Sequence, residues 1–472
     1  MPVRDYVFFE LTNSICSTCL VKVEAKVLFQ DDNVYLVKHC FEHGTEKVLI
    51  ATDPAYYRRI RSYIKPGEMP VKFNTREHFG CPYDCGLCPG HEQHSCLTLV
   101  ELTDRCNLEC PTCYADSGPL RGRHRTLEEI ERMLDIIVAN EGKPDIVQLS
   151  GGEPTIHPQF LEVLAIAKKK PIRHLMVNTN GVRIARDAAF AKRLAEYKPG
   201  LELYLQFDSF EEKALRTLRG EDLREVRMKA LERLNALNLS TTLVVTVQKG
   251  LNDGEIGKII DFALTQRCVR GVTFQPVQAA GRLENFDPAK DRYTLTQIRR
   301  AILDQCGVFT PDDILPVPCN PDSLAMAYAL KVDGKVHPLT RHINPDDLLN
   351  SEKNTIVYEQ DRTLRDKAIS LFSTANSPES AGQKLKQLLC CLPGIAAPSL
   401  GYENVFRVII MQFLDRYNFD VRVAKKSCVH IVNKDGKIIP FDTMNLFYRD
   451  DLAARNLERV RARIRAGAGI AR

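Results

Sequence analysis

Cys106-Asn-Leu-Glu-Cys110-Pro-Thr-Cys113-Tyr114 places three cysteines at a C-x3-C-x2-C spacing. Three is the informative number. A four-iron, four-sulfur cube held by three thiolates keeps one iron open to a small molecule, whereas ferredoxin-type carriers fill every corner. Taken alone, the run also fits chance in a cysteine-rich chain, a plain electron carrier or a zinc site. The surrounding segments decide between these readings.

An apolar strand precedes the run at residues 97–102, and a second, at 146–150, closes on Gly151-Gly152-Glu153-Pro154. Two adjacent glycines let a backbone edge come close to a ligand. Further strand-like segments lie at 177–181, 203–208, 244–247 and 271–276, each separated from the next by a helical stretch, as βα units require. The fold class is therefore α/β: a partial (β/α)6 TIM-like barrel over residues 97–310. Barrels of this kind collect chemistry at the C-terminal ends of their strands. Gln206 and Asp208 on the fourth strand are the catalytic candidates there, with Asn180 after the third and Gln275 after the sixth as cofactor-binding candidates. The plain alternative is polar strand ends that meet solvent.

The three-cysteine run, the Gly-Gly-Glu turn and the ordered strands together resemble the radical S-adenosylmethionine (SAM) superfamily. That resemblance implies that the open iron on Cys106, Cys110 and Cys113 chelates the amino and carboxylate groups of SAM. Cleavage then yields a 5′-deoxyadenosyl radical. The turn Gly151, Gly152, Glu153 and Pro154 is implied to contact the methionine amino group. A non-catalytic iron–sulfur electron carrier is the reading of a different kind, and the turn argues against it, because a protein that never binds SAM has no use for one.

Composition sets the frame. A chain of 472 residues with 44% hydrophobic residues buries a sizeable core, in two or three domains. No early apolar run suits a signal peptide and no 18-residue apolar stretch suits a membrane span, so a cytoplasmic enzyme is expected. Sixteen cysteines there point to metal sites rather than disulfides. A net charge of +5 gives no support to nucleic-acid binding.

The cysteines cluster, and the clusters mark the domains. Residues 1–75 hold Cys16-x2-Cys19 and Cys40-x2-His43 on two knuckles around alternating strands, a tetrahedral ribbon for zinc or a rubredoxin-like mononuclear iron. Residues 76–96 hold Cys81, Cys85, Cys88 and Cys96, the full complement for an auxiliary [4Fe–4S] cluster, with zinc as the competing reading and His91 and His94 as substitute ligands. Residues 311–472 form a C-terminal α+β auxiliary domain. In it Cys319, Cys390 or Cys391, and Cys428 supply a second auxiliary cluster or are ordinary buried thiols. Apolar helical spacing at 363–372 and 381–389 suggests a lid over the barrel mouth, or a bland insertion. The tail from Asp451 carries six arginines against two acidic residues. Ala453, Leu457, Val460 and Ile464 share one helical face, which suits peripheral contact with the inner membrane surface or packing on the domain.

A narrower resemblance runs along nearly the whole chain. The opening 11–16, the segment Cys81-Pro-Tyr-Asp-Cys-Gly-Leu-Cys-Pro-Gly-His91 and the closing Asp442-Thr-Met-Asn-Leu-Phe-Tyr448 look like the archaeal tetraether-lipid synthase group, earlier described as pterin-methylating radical SAM enzymes. It implies auxiliary iron sites, a low-potential donor such as ferredoxin or flavodoxin, and a lipid or other small-molecule substrate. The favoured reaction is C–C bond formation on lipid acyl or alkyl chains; the second is radical C-methylation of a pterin or similar heterocycle.

Overall fold

The computed structural model describes residues 4–63, 67–283, 286–332, 334–341 and 404–468. Four antiparallel strands open the chain and pair in order: β1 (Val7–Ile15), β2 (Lys22–Gln30), β3 (Asn33–Cys40) and β4 (Gly44–Ala51). Along β3 every second residue is buried, the two-residue period of a half-covered sheet. Lys38 is among the buried ones. Its ammonium bonds the Arg416 and Tyr417 carbonyls at 2.9 Å each and pairs with Glu46 at 3.3 Å, so its charge is compensated and the ribbon is tied to the C-terminal segment.

The barrel strands are β5 (Leu97–Glu101), β6 (Ile146–Ser150), β7 (His174–Thr179), β8 (Leu201–Gln206), β9 (Thr241–Val247) and β10 (Val269–Pro276). Each pairs in parallel with the next, as expected. All of β5 and β6 is buried, because helices cover one face and side chains fill the other. The helices are α1 (Leu127–Glu141), α2 (Phe160–Lys169), α3 (Ala188–Ala195), α4 (Glu212–Arg219), α5 (Arg224–Leu237), α6 (Ile256–Thr265) and α7 (Leu295–Gln305). A capping box between Thr126 and Glu129 starts α1, which buries Ile130, Met133, Leu134 and Ile137 on one stripe.

The described residues after 311 do not stand apart from the barrel. Strand β11 (Leu324–Val332) pairs antiparallel with β12 (Val405–Met411), and β12 adds in parallel to β10. At the opposite edge β13 (Val429–Val432) adds in parallel to β5, and β14 (Ile438–Pro440) closes the hairpin around the expected Asp435-Gly436 turn. All seven residues of β12 are buried, so the strand needs cover on both faces, and the open edge of β10 supplies its ladder. The segments 363–372 and 381–389, with Cys390 and Cys391, lie outside the described residues.

The tail is helix α8 (Asp451–Ala468). Leu457 and Val460 are buried in a cluster with Ile15, Leu20, Tyr83 and Phe447, and Ala453 is buried on the same face. Arg461 bonds the Tyr83 carbonyl at 2.6 Å and Arg463 pairs with Glu42 at 3.1 Å. The apolar face is thus taken by the protein itself, in line with the packing alternative for this helix. Among the described residues, no helix is long and apolar enough to cross a membrane. Leu457→Asp is expected to cost about 3 kcal/mol of stability or more, read as a lower urea midpoint. An unchanged midpoint would contradict this packing.

Candidate active site

The Cys106–Cys113 loop leaves the C-terminal end of β5 and lies over the barrel mouth. It lines a cavity with an empty volume of about 1340 Å3, open mouth included. The glycine turn holds the loop by close backbone approach. Gly152 N donates to Thr103 O at 2.8 Å and Glu153 N to Arg105 O at 3.0 Å. Gly151 has φ +123°, and a Cβ there would lie 2.3 Å from Thr103 O; one on Gly152 would lie 2.1 Å from Arg105 O. Only glycine fits at either position.

Glu153 is fully enclosed. Its Oε1 accepts from Thr155 N (3.1 Å), Thr155 Oγ1 (2.6 Å) and Thr179 Oγ1 (2.8 Å), and its Oε2 from Asn180 N at 2.7 Å. The carboxylate is therefore fixed in place before any ligand arrives, a preorganised acceptor rather than a mobile arm. Burial nevertheless raises its pKa, with the four hydrogen bonds working against that rise. Asn180 Nδ2 donates to Asn107 Oδ1 at 2.7 Å, which links β7 to the cysteine loop.

The cavity is lined by Cys106, Cys110, Cys113, Gly151, Gly152, Glu153, Asn180, Gln206 and Gln275 from the expected site. Pro154 starts the following turn and Asp208 lies behind the wall; neither is among the lining residues. Asp208 is not exposed at all and clamps Arg219, with contacts of 2.6 and 2.7 Å; Arg227 lies 3.6 Å away. Its assignment as a catalytic group is corrected accordingly. It is a counter-ion, and the guanidinium of Arg219 is what reaches the cavity and the Cys110 thiol. Arg219, Arg227, Asn178, Ser150 and Tyr114 are the residues that sequence reasoning missed.

Three thiols on one buried loop suit a cationic cluster. Burial, then Glu153 and the neighbouring cysteines, push the Cys106 thiol up to about 12, so its thiolate persists there only beside compensating positive charge. The fourth iron corner has no cysteine candidate in the cavity lining.

The other cysteines sort differently from their sequence order. In the ribbon, Cys16 Sγ and Cys40 Sγ lie 3.6 and 3.5 Å from His43 Nδ1, and Cys19 Sγ lies 3.9 Å from Cys40 Sγ. A tetrahedral ion with metal–sulfur bonds of about 2.3 Å has ligand edges of about 3.8 Å, so these four fit a single ion. One equivalent of metal per chain, lost on Cys19→Ser, is the expected result of metal analysis on this domain.

Cys96 is not with Cys81, Cys85 and Cys88, which corrects the expected four-cysteine set. It groups with Cys319 and Cys428, whose sulfurs are 3.3 Å apart. The cause is register: Leu97 pairs with Val429, and Leu97 N bonds Cys428 O at 3.1 Å, so the residues preceding β5 and β13 sit side by side. His94 approaches Cys96 at 3.4 Å, whereas His91 turns to the Ser427 carbonyl at 2.8 Å. Cys81 and Cys85 face each other, and Cys88 bonds Glu77 at 3.0 Å. The Cys96 group lies at the N-terminal ends of β5 and β13, across the barrel from the Cys106 loop.

Comparison with known proteins agrees with this geometry. Residues 100–263 match the radical SAM superfamily, and residues 8–52 match the HMPTM N-terminal zinc ribbon domain. The chain is 30% identical, over 93% of its length and 94% of the relative's, to the 7,8-dihydro-6-hydroxymethylpterin dimethyltransferase of Methanocaldococcus jannaschii. It is 33% identical over 35% of its length to a probable GTP 3′,8-cyclase of Thermococcus kodakarensis, spanning 52% of that protein. Among solved structures, SuiB of Streptococcus suis bound to S-adenosylmethionine aligns at a TM-score of 0.37 and 18% identity, over 44% of this chain and 46% of that one. With its three-cysteine loop, its glycine turn and a relative matched along nearly its whole length, the chain belongs to the radical SAM superfamily, in the family of that dimethyltransferase.

Proposed function

We propose that the protein C-methylates a pterin or similar flat heterocycle by radical chemistry: a hydrogen of one C–H bond goes to 5′-deoxyadenosine, and the methyl group comes from a second SAM, which leaves as S-adenosylhomocysteine, with two electrons from a low-potential donor. The observation that carries this is the cavity lining. Six amide side chains, Gln148, Asn178, Asn180, Gln206, Gln275 and Gln278, share it with Tyr114, Phe413 and Phe441. Phe413 and Phe441 pack with ring centroids 4.1 Å apart and planes tilted by 32°, and Tyr114 lies 4.9 Å from Phe441. A heteroaromatic ring matches both surfaces, offering a π face to the aromatic wall and donors and acceptors to the amides. An alkyl chain would leave the second N–H hydrogens of Asn178 and Gln206, which each use only one within the protein, without an acceptor, at a cost. Lipid-chain coupling, favoured on sequence, gives way to this reading, which the name of the full-length relative also supports.

An unactivated C–H bond offers no handle to an acid or a base. When bound, the cluster and SAM supply a primary carbon radical for it. The chain's own residues do the rest. Gly151 and Gly152 fix the cysteine loop, Glu153 presents a set acceptor, and Leu97, Leu99, Met411 and Val429 give the deep end of the cavity an apolar surface. In anaerobically reconstituted protein with a low-potential reductant, 7,8-dihydro-6-hydroxymethylpterin should accelerate release of 5′-deoxyadenosine from SAM several-fold. A dialkyl lipid that accelerates it while the pterin does not would sink the proposal.

A further inference from the structure

Arginine has no hydrogen-bond acceptor, so any amide atom that bonds a guanidinium is an oxygen. That rule orients a row of side chains across the barrel top. Arg219 is held by Asp208 and by Thr246 Oγ1, at 2.8 Å from Nη2, and the same Nη2 donates to Gln206 Oε1 at 3.0 Å. The other end of the Gln206 amide, Nε2, must then face Asn178, where it donates to Oδ1 at 2.9 Å. Asn178 Nδ2 in turn donates to Ser150 Oγ at 3.3 Å, and Ser150 lies 3.2 Å from the Tyr114 hydroxyl. Each amide NH2 uses one hydrogen in this row and keeps another. Gln206 and Asn178 both line the cavity and are only half-buried within the barrel.

We propose that Arg219 is a positioning residue that fixes the direction of this row, so that the cavity presents two neighbouring N–H donors. The substrate meets them with two adjacent acceptors, a carbonyl oxygen beside an unprotonated ring nitrogen. This rests on the heterocycle reading above and names the edge of the ring that is recognised. A 7,8-dihydropterin carries such a pair at O4 and N5. A 4-amino analogue brings a donor against a donor and is rejected.

The test is calorimetric binding, to the reconstituted protein with SAM, of 7,8-dihydro-6-hydroxymethylpterin and its 4-amino-4-deoxy counterpart. The native protein is expected to hold the 4-oxo probe about tenfold to a hundredfold more tightly. Gln206→Glu keeps an oxygen on Arg219 but turns a second one toward Asn178. Asn178 then rotates, the row reverses, and the ratio should collapse or invert in favour of the 4-amino probe. Arg219→Gln, which frees the amide to flip, should shrink the ratio. A general packing defect weakens both probes together and leaves their ratio, and iron content measured alongside reports the integrity of each variant. Should Gln206→Glu fail to retain iron, Asn178→Asp, which deletes one donor, carries the same comparison. A native protein that binds neither probe overturns the heterocycle reading. A native preference for the 4-oxo probe that persists in Gln206→Glu and Asn178→Asp overturns the donor row alone.

Discussion

Gly152→Ala should lower SAM-dependent release of 5′-deoxyadenosine by roughly a hundredfold, the scale expected when reacting groups are displaced by about 1 Å. The added Cβ would meet the Arg105 carbonyl oxygen at 2.1 Å and its carbon at 2.6 Å, all backbone, so the collision cannot be relieved by rotating a side chain. The loop that starts at Cys106 must move instead. The ribbon metal should stay, because the atoms nearest an added Cβ all belong to Arg105 and Cys106. Gly254→Ala is the matched control, since a Cβ there meets nothing within 4 Å. Equal rates of release from the two variants would show that the close approach of the turn to the cysteine loop is not what positions the site.

Asp208→Asn is expected to cost about 3–5 kcal/mol of stability, the range for removing one partner of a buried ion pair. Arg219 and Arg227 both depend on this carboxylate, and neither has another within ion-pairing distance among the described residues. Burial by itself would raise the Asp208 carboxyl, but Arg219, then Arg227 and the Thr246 amide, hold it below its ordinary value. A group whose folded pKa is depressed stabilises fully above its unfolded pKa and loses that contribution as the pH falls through the folded one. The difference between native and Asp208→Asn protein in urea melts should therefore be full at pH 7 and narrow only below about pH 4. A difference that shrinks toward neutral pH instead would rule out this ion pair as its source.

The six barrel strands are legible because each is a short, largely apolar run bounded by glycine, proline or polar residues, with a helix-length interval before the next. The strand at Val405–Met411 is just as apolar, but its neighbour β10 ends more than a hundred residues earlier, and composition carries no record of which edge a strand joins. Cys96 shows the same limit on a smaller scale. Nearness in sequence attaches it to Cys88, whereas strand register attaches it to Cys428. Nothing in the sequence marks Arg219 and Arg227, which sit on helices with many charged residues. The usable signal lies elsewhere: Asp208, closing the strand at 203–207, is a charge at a buried strand end, and such a charge requires a cation. Its partner Arg219 is the side chain that reaches the cavity.

If the proposed function holds, a hydrogen atom passes from the heterocycle to 5′-deoxyadenosine. Mass spectrometry of 5′-deoxyadenosine detects that transfer after turnover with SAM, reductant and 7,8-dihydro-6-hydroxymethylpterin deuterated at its C–H positions. The expected result is 5′-deoxyadenosine that gains deuterium in step with methylated pterin. Unlabelled 5′-deoxyadenosine, formed at the same rate with and without the pterin, would contradict it.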